Sequence, residues 1–155
     1  MKKPHPSNST FQRKVESLLL RQFSSAQKIL KLAPQKVTVG AGQYCNLDGV
    51  SEKSKVICEA YAHIGSLKSA QKDKVAADIL KLLLAERVLQ KSLGGKFEKY
   101  LLFCDPKVEQ YFKRDNWLSA AVTKFGIKTW CGTMPKETSS KLIRTQKLQI
   151  EGMKI

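Results

Sequence analysis

Two hydrophobic rhythms alternate along this chain, one of helical period and one short and strand-like. Phe11, Val15, Leu18, Leu19, Phe23, Ala26, Ile29 and Leu30 predict an amphipathic helix ending near Leu32. Ser9 with Gln12 offers its capping box, and Pro34 its stop. Val37-Thr38-Val39, Tyr44 to Val50 and Lys55 to Ala62 read as three strands, joined by turns at Gly40-Ala41-Gly42 and Ser51-Glu52-Lys53-Ser54. Gly65-Ser66 opens a long helix, Leu67 to Leu93, with Val75, Ile79, Leu82, Leu83, Val88 and Leu89 toward the core and Gly94-Gly95 as its stop. The unbroken apolar run Tyr100-Leu101-Leu102-Phe103-Cys104 is expected of a strand buried on both faces. Asp105-Pro106 starts a further helix reaching Phe125, Gly126 ends it, and Ile127 to Cys131 is a last strand.

The order α-β-β-β-α-β-α-β predicts an α/β domain with a central mixed sheet flanked by helices. Residues 1–8 read as a disordered basic leader, 9–132 as one domain, and 133–155 as a basic tail or loosely docked element.

Charge sharpens this picture. The chain has 155 residues and 42% apolar content, with 28 basic against 13 acidic residues and a net charge of +15. Such an excess repels itself in a compact fold and calls for a polyanion, because each cation set against a phosphate releases a condensed counterion. Nucleic acid is the expected partner. No apolar run approaches the ~20 residues of a spanning helix, so no membrane partner is expected. Met1-Lys2-Lys3 is followed by Pro4-His5-Pro6-Ser7-Asn8 instead of a signal-peptide core, which points to a cytoplasmic protein. Cys45, Cys58, Cys104 and Cys131 are scattered among apolar and aromatic neighbours, as reduced thiols are; their spacing argues against a zinc site with His5 or His63. A homodimer is compatible with the sequence.

In a chain this basic, acids at apolar positions are informative. Glu16 is the sole acid in residues 1–36, against eight Lys or Arg, and it borders the apolar face of its helix. Taken alone, it reads first as a boundary glutamate paired with Gln12 or Arg13. Glu59 lies inside the strand-like Val56-Ile57-Cys58-Glu59-Ala60-Tyr61-Ala62. If Val50 faces Lys55, then Asp48 and Glu59 are same-face diagonal neighbours, about 7–8 Å apart at Cα. Carboxylates so placed repel unless a cation sits between them, and Mg²⁺ or Mn²⁺, completed by water and phosphate, suits them. Two solvent-facing acids are the alternative.

These residues, in this element order, resemble the PD-(D/E)XK, or restriction-endonuclease-like, nucleases over about residues 11–131. The resemblance implies a three-layer core and a metal-dependent phosphodiesterase acting on DNA. It places the helix-borne glutamate at Glu16, the second-strand aspartate at Asp48 in Asn46-Leu47-Asp48-Gly49-Val50, and the (D/E)-x-K acid at Glu59. Asp48 and Glu59 then hold the metal, and Glu16 orients the site. The family lysine, however, falls on Tyr61. In some family members the ammonium comes from the following helix, which nominates Lys68, with Gln71 and Lys72 one turn on. His63 is a phosphate ligand or base, or a rim histidine satisfied by backbone.

Lys14, Arg21 and Lys28 recur every seven residues, and Lys68, Lys72, Lys74 and Lys81 crowd the long helix with few acids between them. They read as a backbone-binding surface without sequence readout. Two other readings stay open: a nuclease-like fold that has lost catalysis and acts as a binding or assembly module, favoured by Tyr61, and a structural ribonucleoprotein component. All three share one expectation. Labelled DNA or RNA should bind at low salt, and affinity should fall steeply as salt rises, with several ions released. Titration at two salt concentrations measures this; salt-independent binding would contradict a phosphate-backbone partner.

Overall fold

Alternating apolar residues build a five-stranded mixed sheet in the order β1-β2-β3-β4-β5, in a computed structural model that describes residues 10–153. The strands are β1 Ala33–Gly40, β2 Gln43–Ser51, β3 Val56–Tyr61, β4 Glu98–Phe103 and β5 Ile127–Cys131. The helices are α1 Thr10–Gln27, α2 Ser69–Leu93, α3 Pro106–Tyr111, α4 Trp117–Lys124 and α5 Lys136–Met153. The first three strands form an antiparallel meander, and β3, β4 and β5 run parallel. The expected α/β class, with helices on both faces of a mixed sheet, is the architecture observed.

Two apolar layers sandwich the sheet. On one face Val75, Ile79, Leu82, Ala85 and Leu89 of α2, with Val108, Phe112, Leu118 and Val122 around α3 and α4, cover Val37, Leu47, Ile57, Tyr61 and Leu101. On the other, Val15, Leu19, Leu20 and Phe23 of α1 cover Val56, Cys58, Ala60, Tyr100 and Leu102. Two successive parallel crossovers of one hand place α2 and then α3–α4 on the same face. The central strand β3 is buried at every position, as Glu59 within it makes costly unless that acid is partnered.

Several boundaries differ from the expectation. The first helix ends at Gln27 because Lys28 and Lys31 take positive φ, 54° and 55°. Pro34 then lies within β1, an edge strand where its missing N–H costs no ladder bond. The helix expected over 106–125 is two, because the Asn116 side chain caps a new start by accepting from the Ser119 amide at 2.9 Å. The 133–155 segment holds α5, docked through fully buried Leu142. Ser9 and the leader lie outside the described residues.

The meander register also moves. Ser51 pairs with Val56, Val50 with Ile57 and Gly49 with Cys58, two residues away from a Val50–Lys55 pairing. Ser51 joins the strand because its hydroxyl donates to Leu30 O and accepts from the Ser54 amide at 3.0 Å. Lys55 leaves it with φ 56°. A shift of two keeps every side chain on its face.

Gly49 is the tightest point beside the site. A Cβ there would stand 2.6 Å from Cys58 Sγ, 2.9 Å from Leu20 Cδ2 and 3.1 Å from Leu32 Cδ1. Gly49→Ala should therefore cost about 1–3 kcal/mol through overpacking, read as a lower denaturant midpoint with unchanged slope. An unaltered midpoint would show that α1 gives way there freely.

Candidate functional site

The ladder between β2 and β3 holds for three pairs, Ser51–Val56 to Gly49–Cys58. Beyond it the strands part. Residues 43–47 of β2 pair with β1, and Glu59, Ala60 and Tyr61 pair with Leu101, Leu102 and Phe103 of β4. Asp48 fills the parting: its Oδ2 accepts the Ala60 amide at 2.9 Å, the bond a β2 carbonyl would otherwise take. A register shift in β2 between Leu47 and Val50, opposite Gln35 and Ala33, bends the strand at this point.

Glu59 stands beside Asp48, 2% exposed. Burial first, then the Asp48 charge and a hydrogen bond between the two side chains, push its pKa up to about 9. At neutral pH Glu59 therefore keeps its proton. The two acids are thus closer partners than the expected diagonal.

Helix α2 answers them with Lys74, Asp78 and Lys81, spaced i, i+4, i+7 on one face. Lys81 Nζ lies 3.1 Å from Glu59 Oε1 and 3.4 Å from Asp78 Oδ1. Lys74 Nζ lies 3.2 Å from Asp78 Oδ2 and 4.6 Å above the Tyr61 ring. Tyr61 donates its hydroxyl to Asp78 Oδ2 at 2.8 Å. Burial opposes the Lys81 ammonium, but Glu59 and Asp78 outweigh it and raise its pKa. When Glu59 is protonated, Asp78 holds that charge. The Lys81 contact is an ion pair out of line for a hydrogen bond, so Glu59 Oε1 is left without a hydrogen-bond partner.

Glu16 approaches from α1, on the opposite face. Burial and then the Asp48 charge raise its pKa to about 7, against Lys74 and Arg13. The parting of the strands lets groups from both faces sense one another.

Of the residues nominated from sequence, Glu16, Asp48, Glu59 and Lys74 come together, with Tyr61 as their support. The others do not join them. Lys68 is the residue before α2 and lies thirteen positions ahead of Lys81, about 20 Å along the helix. Its amide donates to Gln71 Oε1 at 2.9 Å, so Gln71 caps the helix. Lys72 sits 5.1 Å over the Tyr111 ring. His63 Nε2 is 3.2 Å from Ser66 O, and burial lowers its pKa. Lys14, Arg21 and Lys28 are exposed and enter no ion pair among the described residues. All four cysteines are free thiols.

Asp78 and the role of Lys81 escaped the sequence reading. The signal was present: Asp78 interrupts the apolar stripe Val75, Ile79, Leu82, and a buried acid on a helix flanked by lysines at −4 and +3 requires them as partners.

Among the described residues, no three His, Cys, Asp or Glu side chains form a ready metal cage. Asp48 and Glu59 nevertheless suit Mg²⁺, which takes one or two carboxylates and fills its remaining positions with water and phosphate. Protein-family models, curated proteins and solved structures give no match to this chain.

Glu59 makes stability depend on pH. Its folded pKa near 9 exceeds the ordinary 4.5, so the folded state binds the extra proton and stability falls as pH rises through that window. Glu59→Gln should be more stable than the parent at pH 8 by ~1 kcal/mol or more, about 3 °C in Tm. The difference should shrink toward pH 4. Thermal melts at both pH values test this; an equal difference at both would show that folding leaves the Glu59 pKa unshifted.

Proposed function

We propose that this chain is a PD-(D/E)XK-type nuclease, a metal-dependent phosphodiesterase acting on DNA. The observation that carries the reading is the ammonium of Lys81, 3.1 Å from Glu59. It supplies from the following helix the cation that Tyr61 lacks. Element order supports it too: a helix, a three-stranded meander, a helix and a parallel strand, with sheet order β1-β2-β3-β4-β5.

In this reading Asp48 and Glu59 hold Mg²⁺ or Mn²⁺, which when bound supplies positive charge to the attacking water and to the phosphate. Lys81 meets a phosphate oxygen as charge develops on it. Asp78, clamped by Tyr61 and Lys74, fixes that ammonium in place. Glu16, with a pKa of about 7, is suited to accept or return a proton at its carboxylate near neutral pH. Tyr61 is a structural replacement here: buried, and stacked on Phe103 with centroids 5.4 Å apart.

One observation favours the rival, an inactive nuclease-like module that binds nucleic acid. Glu59, its pKa raised to about 9, keeps its proton beside Asp48 with Lys81 3.1 Å away, so the carboxyl pair can persist without a metal. Cleavage of linear, nicked and branched DNA, and of RNA, with Mg²⁺ or Mn²⁺ against EDTA separates the two. Asp48→Ala, Glu59→Ala and Lys81→Ala should each lower the rate by about 10²-fold or more, as loss of a preorganised charge does. Lys68→Ala should change it by less than about threefold, because many cations share the phosphate contacts. Without metal, Asp48→Ala and Glu59→Ala should bind DNA at least as tightly as the parent. No metal-dependent cleavage of any substrate favours the module, and cleavage that survives both acid substitutions refutes the site.

A further inference from the structure

Among the described residues, the exposed part of the β1–β2 hairpin is covered on one face only. Val37 and Leu47 are buried against α2, with Val39 and Cys45 packed beside them. On the other face Lys36, Thr38, Tyr44 and Asn46 are all exposed, because α1 lies over β3 and β4. Lys36 pairs with Asn46 and Thr38 with Tyr44, so Lys36 and Tyr44 are diagonal neighbours. The Lys36 ammonium sits 3.5 Å from the Tyr44 ring centroid, yet Tyr44 remains 53% exposed. No acid occurs between Ala33 and Leu47. Tyr44 lies four residues from Asp48 on the same strand, on the face away from α2.

We propose that this open face is a stacking platform for an unpaired base, so that the substrate carries a single-stranded segment. The inference rests on the nuclease reading and narrows its substrate. An aromatic face can receive a base only where that base is not already stacked inside a duplex. A cation held on the same ring offers the neighbouring phosphate a partner, and the chain's net charge of +15 favours a polyanion over an acidic or neutral peptide.

Fluorescence anisotropy in EDTA, with labelled single strands, blunt duplexes and duplexes carrying an overhang, tests the platform. Tyr44→Ala should weaken binding of the single-strand and overhang probes about tenfold, the worth of one stacked base, and that of the blunt duplex less than about twofold. Tyr44→Trp should retain affinity, and its added fluorescence should be quenched by single-stranded DNA. An unchanged melting temperature in both variants confirms that they fold. Equal losses on all probes, no loss on any, or no quenching would overturn the platform. Metal-dependent cleavage that persists in that case leaves the nuclease reading standing; absence of all nucleic-acid binding at low salt removes both.

Discussion

Asp48 accepts the Ala60 amide where β2 leaves β3, and the cluster of acids and lysines around it is organised by that substitution of side chain for backbone. A ladder continued for two more pairs would close the gap between the strands. Its interruption leaves Glu59 buried and off the β2 ladder, so the acid must find cations or keep its proton. It does both in part: it is raised toward about 9 and lies 3.1 Å from Lys81. Isolated buried charge is expensive enough that the surrounding acids and lysines can be read as its consequences.

Placement of the helices follows the same economy. Because both crossovers leave α2, α3 and α4 on one face, α1 is free to bring Glu16 from the other. Only at the parting do the two faces communicate. Elsewhere the core isolates them: β3 is buried throughout, and Phe23, Tyr100 and Trp130 close the α1 side with ring contacts of 4.8 and 5.5 Å.

Much of this was legible in the residue pattern, for identifiable reasons. The meander, the long helix and the doubly buried β4 have strong periodicity, and the faces of Asp48 and Glu59 survived a register error because the error was an even number of residues. What escaped depended on contacts distant in sequence. Ser51 was lost to a loop because its partner, the Leu30 carbonyl, lies 21 residues away. Lys68 was preferred to Lys81 because proximity in sequence to β3 was mistaken for proximity in space; α2 crosses the sheet and brings its fourth turn, not its first, to Glu59. The break between α3 and α4 depended on one capping side chain, Asn116, in a stretch whose apolar spacing continues across it.

The two outer strands also determine how copies of this chain can meet. β1 carries Pro34, which lacks a donor, the exposed Lys36, and register shifts near both ends; β5 is five residues long and carries the exposed Lys128. Such edges are poor templates for another strand. Sheet extension from one molecule to the next is therefore disfavoured, and self-association through side-chain surfaces, the open β1–β2 face among them, meets a dense positive charge that makes it dependent on counterions.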